Sequence, residues 1–113
     1  MVLTREQKIR NIIKKISNQT NMLGKKIKKQ KSKAELLRII MQQVGRNNLL
    51  VREEHDHNRI MRDIKKNTNA LKEYTNVLKR FYKNSKKYTD QELNGLLRGN
   101  LQNIVNYVKI FSP

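Results

Sequence analysis

From Ile9 onward the apolar positions return at alternating steps of four and three: Ile9, Ile13, Ile16, Thr20, Leu23 and Ile27. That spacing keeps them within one stripe of a helix, and Arg10, Lys14, Lys15, Lys25, Lys26, Lys28 and Lys29 fall on its flanks and back. A start signal precedes the stripe. In Thr4-Arg5-Glu6-Gln7 the hydroxyl can accept from an orphan amide while the Gln three residues on reaches back, which is a capping box. The same arrangement recurs at Ser32-Lys33-Ala34-Glu35 and Thr89-Asp90-Gln91-Glu92. Helices are therefore predicted to begin after Thr4, Ser32 and Thr89.

The stretch after Ser32 carries Leu36, Leu37, Ile40, Met41 and Val44, and Gly45-Arg46-Asn47-Asn48 then reads as a glycine cap and turn. From Leu49 to Asn84 neither Gly nor Pro occurs. Leu50, His57, Ile60, Ile64, Asn67, Leu71, Tyr74, Leu78 and Phe81 occupy the seam of a long helix with heptad-like spacing. Glu53, His57 and Asn67 make that seam imperfect. In the last segment Leu93, Leu97, Leu101, Ile104, Val108 and Phe111 share a face. No segment alternates in strand fashion, so the fold class is all-α: a helical bundle of about four helices with one long central helix, in a single basic domain over residues 1–113. The predicted helices cover about 5–30, 33–44, 49–86 and 90–110. Their stripes nominate a core of Ile9, Ile13, Ile16, Leu37, Ile40, Val44, Ile60, Ile64, Leu71, Leu78, Leu97, Leu101, Ile104 and Val108.

Composition narrows the class. The 113 residues contain no Cys, which excludes a disulfide framework, a thiolate metal site and a cysteine nucleophile. No apolar run approaches the roughly 18 residues of a membrane span, and Met-Val-Leu-Thr-Arg-Glu is not a signal peptide, so the expected location is intracellular and soluble, with no membrane partner.

Charge changes the picture most. The formal net charge is +17, and it is grouped. Residues 1–33 hold 11 basic and 1 acidic side chain and residues 58–88 hold 10 and 2, whereas residues 34–57 and 89–113 are nearly balanced. AT-rich codon usage would raise Glu along with Lys, Asn and Ile, yet Glu is scarce, so the basic excess points to a polyanionic partner.

Catalysis finds little support. His55 and His57 in Arg52-Glu53-Glu54-His55-Asp56-His57 point about 200° apart on a helix and cannot share a metal, unlike histidines four apart. The His55-Asp56 adjacency lacks the further ligands of HD-type hydrolases. Gly24, Gly45, Gly95 and Gly99 are isolated and make no phosphate loop. No catalytic, metal or cofactor-binding residue is assigned, and no cofactor is expected.

The strongest local signal is Lys25, Lys26, Lys28, Lys29, Lys31 and Lys33, six lysines within nine positions. They can neutralise phosphates in a salt-dependent way. A second group, Lys79, Arg80, Tyr82, Lys83, Lys86, Lys87 and Tyr88, interleaves cations with rings that could stack on bases. Lys outnumbers Arg by 17 to 9, which favours point-charge contact with the backbone over bidentate reading of base edges. Ser32 to Val44 and the glycine turn could open a helix-turn-helix, but the following helix is too long and starts acidic. In size and charge the chain is similar to the small basic helical subunits of nucleoprotein complexes, including those lining CRISPR effector filaments and those of ribosomes. The resemblance is one of composition. The grouped lysines and the lack of a catalytic constellation lead to the expectation of a non-enzymatic protein that binds nucleic acid, RNA or DNA, largely without sequence preference, in an assembly with other protein subunits or with itself. The alternative is a helical scaffold, adaptor or inhibitor that meets an acidic protein.

Overall fold

The computed structural model describes residues 2–44 and 51–111. Every regular element among them is helical: α1 (Arg5–Val44), α2 (Val51–Asn84), a 3₁₀ turn (Ser85–Lys87), α3 (Asp90–Arg98) and α4 (Leu101–Phe111). The predicted turn at Gly45-Arg46-Asn47-Asn48 and the seam position Leu50 lie outside the described residues, as do the side chains of Val44 and Phe111.

Two of the three predicted starts are real caps. At Thr4 the backbone amide donates to Gln7 Oε1 at 2.9 Å and the Gln7 amide donates to Thr4 Oγ1 at 3.2 Å. Thr89 and Glu92 make the same reciprocal pair at 2.8 and 3.1 Å. The expected start at Ser32 is corrected: the Ser32 hydroxyl donates to the Lys28 carbonyl one turn back, and α1 runs through it without a break. Two causes are visible in the sequence. Gln30, Ala34, Leu37 and Met41 continue the four-three stripe in phase from Ile27, and neither Gly nor Pro falls between Lys25 and Val44. A serine inside such a helix bonds to the carbonyl four residues back. Gly24 is likewise a helical residue and not an end.

The predicted helix over 90–110 is in fact two. Gly99 leaves the helix with an extended ψ of 164° while its amide still donates to the Gly95 carbonyl. Asn100 then starts α4 by accepting from the Asn103 amide at 2.9 Å. The side-chain ammonium of Lys15 donates to the Gly99 carbonyl that the break exposes.

The described chain gathers into two compact units. Unit 1 comprises the chain up to Asn21 and from Lys72 onward. Its core holds Ile12, Ile16, Val77, Phe81, Tyr88, Leu93, Leu96, Ile104, Val105 and Val108, so the first part of α1 packs with α2, α3 and α4. Ile9, Ile13, Tyr74, Leu78, Leu97, Leu101 and Tyr107 border it. Because three helices surround this part of α1, its buried arc is wider than one stripe and takes in Ile12. Arg5 fastens the unit's other end: its guanidinium donates to the carbonyls of Ser85, Lys86 and Tyr88 and to Asp90 Oδ1.

Unit 2 comprises Met22–Leu71. Ile27, Ala34, Ile60 and Ile64 form its core, with Leu23, Leu37 and Leu71 beside them. The partners lie at roughly constant summed residue number, so α1 and α2 run antiparallel here. The nomination of Ile40 as core is corrected: it is exposed, along with Leu36 and Ile39. Position 40 stands about 60° from Leu37 and about 100° from Met41 around the helix, to one side of the stripe.

Candidate nucleic-acid interface

In unit 2 the lysine group rides on the middle of α1. Ile27, Ala34, Leu23 and Leu37 mark the covered side of the helix. At about 100° per residue, Lys25, Lys28 and Lys29 stand on the opposite side and Lys26, Lys31 and Lys33 on its flanks. All six are exposed. They occupy about 12 Å of helix axis at 1.5 Å per residue. The helix here is continuous, so the charges are held at fixed spacing and not on a flexible connector.

In unit 1 the second group lies at the end of α2 and on the 3₁₀ turn. Tyr74, Val77, Leu78 and Phe81 face the core, which sends Lys79 and Lys83 to the opposite side and Arg80 and Tyr82 to its flanks. Lys79, Arg80, Tyr82, Lys83, Lys86 and Lys87 are all exposed. The assignment of Tyr88 to this surface is corrected. Its ring is 1% exposed and sits among aromatics, with its centroid 5.2 Å from that of Phe81 and 6.0 Å from that of Tyr107. The residue stands just before the Thr89 cap, and the turn from α2 into α3 folds the ring inward, where its apolar area is removed from water.

Among the described residues the ion pairs are Arg5 with Asp90, Arg38 with Glu35, Arg59 with Asp56 and Lys109 with Glu73. None of them takes a cation from either group. No described carboxylate therefore pairs with these lysines, and all of them are exposed to solvent. By contrast, Arg5 and Lys15 spend their donors on backbone carbonyls inside unit 1. Nothing in the local charge pattern separates these structural cations from the surface ones.

Glu35 and Arg38 form an exposed pair one turn apart on α1. Arg38 donates to Glu35 and holds its carboxyl below the ordinary value, an effect that burial opposes and that the charges of Arg38 and His57 reinforce. Among the described residues no three His, Cys, Asp or Glu side chains come together in a way that could hold a metal ion. Nor is any described helix long and apolar enough to cross a membrane. No family model, curated protein or solved structure matches the chain.

Proposed function

We propose that this chain is a non-enzymatic nucleic-acid-binding protein that grips the phosphate backbone, acting as a small subunit of a larger nucleoprotein assembly. The observation that supports it is the row of six exposed lysines on one rigid helix with no carboxylate partner among the described residues. Such a row gains affinity by releasing counterions from a polyanion. The cations near the end of α2 supply a second contact of the same kind in unit 1. Lysine ammonium groups read charge and not base identity, so the binding is largely independent of sequence.

Fluorescence anisotropy with labelled RNA and DNA at two salt concentrations tests the reading. Replacement of Lys25, Lys26, Lys28, Lys29, Lys31 and Lys33 by Gln is expected to weaken binding by about 10-fold or more at low salt. It should also flatten the plot of log affinity against log salt by about 0.7 to 0.9 for each phosphate that is no longer neutralised. Unchanged affinity with an intact helical spectrum would defeat the proposal.

A second reading rests on a different surface. Leu36 is 58% exposed, and Ile39 and Ile40 stand beside it on α1. Three large apolar side chains so placed favour a protein-binding adaptor. Under that reading Leu36→Ser would abolish co-purification with a protein partner, and the lysine variants would leave it in place.

A further inference from the structure

Resting on the nucleic-acid reading, we infer that Tyr82 is a base-stacking platform that makes the surface of unit 1 select single strands over duplex. Five aromatic side chains are described, and four of them, Tyr74, Phe81, Tyr88 and Tyr107, belong to or border the core of unit 1. Tyr82 alone among the five turns outward, at 72% exposure. Its hydroxyl has no hydrogen-bond partner among the described residues. The ring therefore contributes neither burial nor a bond to the fold, and an isolated exposed ring would call for no explanation.

Its surroundings give it one. Lys79 lies three residues before it, Lys83 next to it and Lys86 four residues after it, all exposed and outside every ion pair among the described residues. The Ser85 hydroxyl donates to the Tyr82 carbonyl at 3.1 Å, which fixes the backbone where α2 passes into the 3₁₀ turn. A flat ring bracketed by cations on a stiff backbone matches what a single strand offers: phosphates for the ammonium groups and an open base face for the ring. In a duplex the base faces are stacked on one another, so an external ring finds only the backbone and groove edges.

The test compares affinities of the full chain, wild type, Tyr82→Ala and Tyr82→Phe, for an oligo-uridine, an oligo-deoxythymidine and a mixed-sequence duplex of equal length. Tyr82→Ala is expected to lose about 10-fold or more on the single strands and less than about twofold on the duplex, and Tyr82→Phe to bind like wild type, because stacking needs the ring and not the hydroxyl. The chain has no Trp, so Tyr82→Trp adds a unique reporter whose emission should be quenched by the single strands and not by the duplex. If Tyr82→Ala binds single strands as tightly as wild type, or loses equally on both forms, the platform is refuted while lysine-based binding stands. If wild type binds none of the three probes, the functional reading itself fails, and this inference with it.

Discussion

The side-chain amide of Asn67 donates to Gln30 Oε1 across unit 2 at 3.0 Å. Both residues occupy seam positions, Asn67 on α2 between Ile64 and Leu71 and Gln30 on α1 between Ile27 and Ala34. Both side chains are half-buried, and this bond joins the two helices. A polar pair in an apolar seam gives up stability and gains register, because sliding the helices would leave both amides unpaired. Asn67→Ala should cost about 1 kcal/mol, whereas Leu at both positions should be neutral or stabilising and should loosen the choice of register. Urea unfolding gives the first two quantities, and doubled or broadened amide resonances of unit 2 would reveal the third.

Gly24 sits in the interior of α1, and a Cβ built on it meets nothing within 4 Å. Gly24→Ala is therefore expected to raise stability by about 0.5 to 1 kcal/mol, since alanine lowers the entropy of the unfolded chain at no steric cost. Gly99 is the contrasting case. A Cβ there would stand 3.3 Å from Cβ of Asn103 and 3.4 Å from the Gly95 carbonyl, so Gly99→Ala should show no such gain. Denaturant midpoints of the two variants, measured side by side, decide the matter. A destabilised Gly24→Ala would mean that the helix is not continuous at this point.

Arg5 joins the first turn of α1 to the segment that links α2 with α3, with donors 3.0 Å from the Lys86 carbonyl and 3.1 Å from Asp90 Oδ1. The ion pair is exposed and adds little by itself. The carbonyls weigh more, because one guanidinium donates to several of them where α2 passes through its 3₁₀ turn toward α3. Loss of the guanidinium in Arg5→Ala should cost about 1 to 3 kcal/mol. Arg5→Lys should recover only part of it, as one ammonium cannot reach several acceptors held in different directions. Thermal unfolding followed by circular dichroism would show the order wild type, Lys, Ala; a Lys variant equal to wild type would show that charge alone matters.

Glu35 should titrate below the ordinary carboxylate range, chiefly because Arg38 hydrogen-bonds to its charged form. With the folded value depressed, the pair contributes stability above the unfolded value and loses it as pH falls through the folded one. Both side chains are largely exposed, so the contribution to global stability is small. NMR titration of the Glu35 side-chain carbon should give a lowered midpoint that returns toward normal in Arg38→Gln. An unchanged midpoint in the variant would remove Arg38 as the cause.

Periodicity, caps and charge grouping were legible in the chain itself. The seam of α2 from Ile60 through Ile64, Leu71, Tyr74, Leu78 and Phe81 follows the spacing read from the sequence, and Thr4 and Thr89 cap as their motifs predict. These features depend only on residues within a turn or two of one another. The third capping motif failed for a reason equally local but competing: the stripe continuing in phase through Ala34 and Leu37 favours one helix, and a mid-helix serine has another acceptor at hand. Exposure of Lys25, Lys28 and Lys29 also follows from sequence, because they lie opposite the apolar stripe of α1.

Tertiary packing decided the rest. Whether Ile12 is buried depends on how many helices surround α1, and whether Ile40 is exposed depends on none reaching its side. Tyr82 and Tyr88 are both tyrosines among lysines, six residues apart, and the one local feature that separates them is that Tyr88 directly precedes the Thr89 capping box, where a ring can pack against Leu93 one turn into α3. The turn between α2 and α3 carries one ring into the core beside Phe81 and Tyr107 and leaves the other in water. A helical repeat determines which side chains share a face, but burial is a property of the partners that cover that face, and those come from segments distant in sequence.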